Sequence, residues 1–190
     1  MSVDAQNLRI VKYPAEVLRQ KTQVIPEITE EVRQIAERMI DLMYEAEGIG
    51  LAAPQVGLNW RMFVIDIPES EDEDERSAEA DPPSATNGPM VYINPTLSGF
   101  SRDLVTYEEG CLSIPRVTGE VRRPSLCTVN ATNLDGEQFS HAADGLLARC
   151  LQHEFDHLEG VLMIDKFDLT TRRKIKSSLQ SLEQSARVVG

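Results

Sequence analysis

The sequence is poor in cysteine, histidine, aromatic rings and positive charge. Its 190 residues hold three cysteines, Cys111, Cys127 and Cys150. They are too few and too far apart for a disulfide scaffold, so each is free to act as ligand, nucleophile or packing. There are three histidines, His141, His153 and His157. Aromatics make up 5% of the chain, so the core must be mainly aliphatic. Nineteen Lys and Arg face 31 Asp and Glu, a net charge of −12. A dedicated nucleic-acid module needs cations to neutralise phosphates, which argues against specific DNA binding. Long apolar runs are missing too. The longest uncharged stretch, 82–101, holds four prolines and many polar residues, so no membrane span is expected. Asp4, Arg9, Lys12 and Glu16 stand where a signal peptide would need an apolar run. The expectation is a cytoplasmic protein.

What remains is an ordinary globular composition, 41% hydrophobic and 26% charged. The length suits one domain over 1–190. Residues 29–46 read as a helix. Thr29 is its N-cap, and Val32, Ile35, Ala36, Met39, Ile40 and Met43 form one apolar face, with Gly48 as the stop. Residues 61–67 read as a buried strand. The segment 69–81 then carries eight acids against one base, seven of the twelve net negative charges. It predicts an acidic surface loop inserted over 69–89. Residues 90–93 read as a strand stopped by Asn94-Pro95. Residues 104–108 and 126–131 are further strands, and Asp135-Gly136 marks a hairpin turn. Helices follow at 146–159 and 171–187. Strands and helices alternate without a βαβ rhythm. The fold class is therefore α+β, with antiparallel or mixed sheets around a central helix and a C-terminal helix.

The chemistry concentrates in His153-Glu-Phe-Asp-His157. Positions i and i+4 share a helix face, so both imidazoles reach one metal ion, and Glu154 lies close enough to take a proton from water. Such a site needs a third protein ligand and an open position. The long zinc-protease pattern would place a histidine at 163, where Met163 stands. Glu159 points away, and Glu183 lies in the last helix. Cys127 sits among strand-like residues and reads as packing. Cys150 lies on the same helix as the histidines and reads as a wall residue. Cys111 follows Gly110 and precedes Pro115, a bent strand end that can aim a side chain at a site. His141 has no partner at ligand spacing.

Three separated motifs, in order, make the chain resemble the peptide deformylase family. They are Gly48-Ile-Gly-Leu-Ala-Ala-Pro-Gln55, Glu109-Gly-Cys-Leu-Ser113 and Gln152-His-Glu-Phe-Asp-His157. The resemblance covers essentially the whole chain, with 69–89 an insertion relative to shorter members. It implies a hydrolase that removes the N-formyl group from formyl-methionyl nascent peptides. Cys111, His153 and His157 would bind the metal, Fe(II) in the cell, with Ni, Co or Zn able to substitute. Glu154 would be the general base. Gln55 and the Leu112 N–H would form the oxyanion hole, and Gly50 would present backbone to the substrate. Ile49, Tyr107, Leu146 and Cys150 are candidate walls of the methionine pocket, and Arg149 a candidate partner of Glu109.

The C-terminal helix carries Arg172, Arg173, Lys174, Lys176 and Arg187 against Glu183. That asymmetry in an acidic protein suits docking on the ribosome's anionic RNA, or a solvated helix end. Two other readings are a metallopeptidase with Glu183 as third ligand and a non-catalytic metal-binding protein. A Cys111→Ser exchange separates the first of these from a deformylase.

Overall fold

The computed structural model describes residues 3–70 and 77–189. Seven strands and three α-helices build it: α1 (Glu30–Glu45), β1 (Gly50–Ala52), β2 (Met62–Ile65), β3 (Met90–Ser98), β4 (Leu104–Gly110), β5 (Thr118–Pro124), β6 (Cys127–Thr132), β7 (Gln138–Ala143), α2 (Gly145–Leu158) and α3 (Leu169–Val189). Five strands form an antiparallel sheet in the order β1-β2-β3-β6-β7, and β4 and β5 form a separate hairpin. The fold is α+β, as the sequence pattern implies.

Strand alternation decides the layering. In β2, Met62 and Val64 face one side and pack with Val32, Ile35, Met39 and Met43 of α1. Phe63 and Ile65 face the other side and pack with Leu147, Ala148, Leu151 and Leu158 of α2. The sheet is thus sandwiched between α1 and α2. A third cluster joins Ile114, Val117 and Val121 around β4–β5 to Leu162, Phe167 and Ile175 around α3. Truncating one of these fully buried aliphatics, such as Met39, costs about 2–5 kcal/mol.

Helix α1 begins where expected, with the Thr29 side chain accepting from the Val32 N–H. Its end differs. The left-handed residue is Glu47 (φ 54°), and Gly48 only closes the turn through its N–H to Met43 O at 2.9 Å. Strand β3 does not stop at Asn94-Pro95 but runs through them. A bulge between Ile93 and Thr96 absorbs the left-handed Asn94 (φ 51°) and the missing proline N–H. The Asn94 amide fastens the bulge by bonding both Ile25 N (2.9 Å) and Ile25 O (2.8 Å).

Of the acidic segment, residues 71–76 lie outside the described residues. The part from 77 to 89 folds back rather than standing free. Ser84 N donates to Ser77 O, Ala85 and Thr86 are buried, and Thr86 Oγ1 donates to Asp66 Oδ1 at 2.8 Å. Helix α3 starts two residues earlier than its apolar spacing suggests. Asp168 precedes it and accepts from the Thr171 N–H at 2.6 Å, so α3 has an N-cap.

Candidate active site

Helix α2 opens at Asp144, whose side chain accepts from the Gly145 N–H, and is followed by Gly160 (φ 71°). A side chain at 160 would place its Cβ 2.6 Å from Arg19 O, so glycine is required there. Between these limits His153 and His157 stand one turn apart, and Glu154 lies beside them against Gly50 of β1. Cys111 reaches the same place from the turn after β4. Its Sγ lies 3.4 Å from His157 Nε2. Ligand atoms of Cys111, His153 and His157 all lie within 4.8 Å of one another.

Glu109 organises this group. Its Oε2 accepts from His153 Nδ1 at 3.1 Å. A carboxylate cannot donate, so Nδ1 carries the proton and Nε2 is left to face Cys111 and His157. Glu109 is itself clamped by Arg123 Nε (2.6 Å) and Nη2 (2.8 Å) and by Arg149 Nη1 (2.7 Å). Arg123 also donates to Asp156 Oδ2 at 2.7 Å. Burial favours the neutral acid, but the Arg123 hydrogen bonds outweigh it and hold Glu109 well below the usual carboxylate range. Burial likewise works against a charged His153. Its hydrogen bonds to Cys111 and Glu109 win and raise it to about 10. His157 is buried beside it and is pushed well below the ordinary imidazole value, first by desolvation and then by His153.

Glu154 is 4% exposed, and its Oε2 has no hydrogen-bond partner among the described residues. Desolvation raises it to about 7. Gly50 explains how the carboxylate fits. A Cβ there would lie 2.5 Å from Glu154 Oε1 and 2.8 Å from Cys150 Sγ. Gln55 stands in a short 3₁₀ turn, Ala53–Val56. Its Oε1 accepts from Ala52 N at 2.7 Å, which fixes the amide and turns Nε2 toward Cys111 Sγ, 3.5 Å away. Gly48 has a steric reason as well, since a Cβ would meet Leu112 Cδ1 at 2.7 Å.

These groups share one cavity of about 650 Å³. Its walls include Ile49, Gly50, Gln55, Tyr107, Cys111, Leu112, Leu146, Cys150, His153 and Glu154. His157 lies behind them, 1% exposed. The alternative ligand Glu183 is elsewhere, accepting from Tyr13 Oη at 2.9 Å, and Glu159 pairs with Arg61 and Lys21. His141 bonds Tyr92 Oη, and Cys127 is packed in the sheet core. Sequence reasoning missed Arg123 and Asp156. The signal for Arg123 was its parity with Val121 on β5, which places an arginine on an inward-facing row.

The donor set fits a divalent ion: one thiol sulfur and two imidazole nitrogens converge, with a carboxylate fixing one ring from behind. An approach from the cavity side leaves space for a substrate atom.

Comparison with known proteins agrees. The profile of the family described as Polypeptide deformylase matches residues 7–173. The chain is 39% identical over 175 residues to a peptide deformylase of Acinetobacter baumannii, covering 92% of this chain and 91% of that one. It is 46% identical over 156 residues to one from Agrobacterium fabrum, covering 82% and 84%. Among solved structures, a plant peptide deformylase superposes with a TM-score of 0.84 at 36% identity, covering 98% of this chain and 94% of that one. The enzyme from Ehrlichia chaffeensis gives 0.83 at 30% identity, covering 95% and 97%. The convergent cysteine and histidine pair, the buried glutamate and the match over nearly the whole chain lead to one conclusion: this chain belongs to the peptide deformylase family, metal-dependent hydrolases that remove the N-formyl group from newly made polypeptides and release formate.

Proposed function

We propose that the chain works as one catalytic unit in which Cys111, His153 and His157 hold a single divalent metal and Glu154 is the general base. The observation that carries this is the convergence of the three ligand atoms within 4.8 Å beside a cavity lined by Gln55 and by Glu154, whose Oε2 has no hydrogen-bond partner among the described residues. A metal bound there supplies Lewis acidity and brings the pKa of coordinated water toward about 7. Glu154 takes one proton from the attacking water. Water oxygen adds to the formyl carbon, and the carbon–nitrogen bond then breaks. Glu154 passes its proton to the departing amine, so the products are formate and a free N-terminus. Gln55 Nε2 and the Leu112 N–H donate to the carbonyl oxygen as it gains charge. Gly50 offers backbone to an extended peptide, and Ile49, Tyr107, Leu146 and Cys150 take the methionine side chain.

A thiolate with two imidazoles suits iron, nickel, cobalt or zinc. Iron(II) is the ion we assign in the cell, in a cytoplasmic protein, and metal content after anaerobic purification tests it. Arg172, Arg173, Lys174 and Lys176 are exposed on α3, which supports docking on ribosomal RNA. Co-sedimentation with ribosomes that survives neutralising 172–176 overturns that docking.

The central test is formate release from formyl-Met-Ala-Ser by protein loaded with nickel. Glu154→Ala is expected to lower kcat by about 10²–10⁴ with the metal retained. Cleavage of internal peptide bonds without formate release would favour a peptidase instead.

A further inference from the structure

The two proposed oxyanion donors reach the site by different means. Gln55 is 1% exposed, and its amide is fixed by the Ala52 N–H. Leu112 is half-buried in the turn that follows β4, where Ile114 N closes onto Cys111 O at 2.9 Å. That bond leaves the carbonyls of Leu112 and Ser113 outside the turn. Both are taken up by the N-terminal arm. Tyr13 N donates to Ser113 O at 2.8 Å, and Lys12 Nζ donates to Leu112 O at 2.7 Å. One residue earlier, Val11 N donates to Gln55 O at 2.8 Å. Three consecutive residues therefore bridge the Gln55 turn and the Cys111–Ser113 turn. In an extended segment the N–H groups of 11 and 13 point the same way, so one short arm can serve both. Val11 and Tyr13 also pack in the cluster that contains Cys111.

Building on the assignment of Gln55 and Leu112 as oxyanion donors, we propose that Lys12 is a positioning residue for deformylation: its ammonium holds the Leu112–Ser113 peptide by its carbonyl while the Ile114 N–H holds the Cys111–Leu112 peptide, so both sides of Leu112 are pinned and its N–H keeps its direction. Two of the three arm bonds are main-chain and persist in any variant. The Lys12 bond is the one made by a side chain, and it is charge-assisted. Lys12 also lines the wall of the catalytic cavity. The Leu112 N–H belongs to the peptide that Ile114 N holds by the Cys111 carbonyl; with the next peptide released, the turn rocks about Leu112 and the N–H spends part of its time turned away from the developing charge. A donor that is misaligned in this way stabilises the transition state less and leaves ground-state peptide binding nearly unchanged.

Removing one oxyanion donor outright costs about 10²–10³ in kcat. Loosening one without removing it must cost less. Lys12→Met is expected to lower kcat about tenfold with KM changed less than about twofold, and Lys12→Arg to restore most of the loss. The substrate is formyl-Met-Ala-Ser as its C-terminal amide, which gives Lys12 no carboxylate to bind, and the enzyme is nickel-loaded. Metal content and thermal midpoint are measured on each variant. An unchanged kcat overturns the inference. So does a rise in KM alone, which would make Lys12 a peptide contact, and so does loss of metal, which would make it a prop for Cys111. Gln55→Leu is run beside these variants. If it leaves kcat intact, the oxyanion assignment itself fails. If it lowers kcat and Lys12→Met does not, only the role of Lys12 fails.

Discussion

Glu154 is kept in a place where its charged form is disfavoured, with one carboxylate oxygen unpartnered. Its folded value of about 7 lies above the ordinary 4.5. A carboxyl raised on folding binds more protons in the native state between those two values. Stability of the metal-stripped chain therefore falls as pH rises from 4.5 to about 7, and stays reduced above it. Glu154→Gln removes the charge. In chelated protein at pH 8 this variant is expected to be more stable than the parent, by up to about 3 kcal/mol, and the gap to close toward pH 5. Thermal melts across that range measure it, and a gap independent of pH would sink the idea. The same substitution abolishes the proposed base, so stability and activity oppose each other at this residue. Residue-scale chemistry is what the sequence displayed best. The i, i+4 histidines and the neighbouring glutamate are a local pattern on one helix. Gly48 was legible as a helix stop and as the start of the motif over 48–55, but its steric reason was not, because the Leu112 side chain that forbids a Cβ there comes from a distant part of the chain.

Helix α2 and the β4–β5 hairpin are joined through buried charge. Arg123 bonds Glu109 twice and Asp156 once, Arg149 adds Glu109 and the Val105 and Val121 carbonyls, and Glu109 aims His153. Glu109 and Arg123 are 6% and 2% exposed. Breaking such a network by deleting one member leaves a buried charge without its partner, which costs about 3–5 kcal/mol. Arg123→Ala is expected to lose that much by urea unfolding at pH 7. Glu109 titrates below its ordinary 4.5 when folded, so the contribution is present above that pH and is lost as pH falls. The difference between parent and variant is then expected to narrow in acid. A loss under about 1 kcal/mol at pH 7 would show that the network does not hold the hairpin. Element boundaries explain what the sequence hid. Helix faces and the 62–65 strand are periodic and local. Strand β5, with Gly119 and the run Arg122-Arg123-Pro124, has poor strand composition and exists through pairing along β4. The bulge at Asn94-Pro95 likewise depends on Ile25, some seventy residues away.

At the scale of the whole molecule, the proposed ligands belong to different packing units. His153 and His157 ride on α2, whose other face is buried against the five-stranded sheet. Cys111 packs with the cluster of Ile114, Val121, Phe167 and α3. Each unit has its own aliphatic core, so the chain is expected to fold without a metal, in contrast to small domains that a single ion must assemble. An ion held by all three side chains would instead tie the units together. It would stabilise the native state by about 2.7 kcal/mol when free metal stands at 100 times its Kd. Stripping the metal with a chelator is therefore expected to lower the thermal midpoint while leaving the far-UV circular dichroism at 25 °C nearly unchanged. Cys111→Ser is expected to melt near the chelated parent and to respond little to added nickel. Helical signal that collapses on chelation would mean that the separate cores are insufficient. A midpoint indifferent to metal in the parent would mean that the ion binds the native state no better than the unfolded chain, and the three-ligand site would have to be withdrawn.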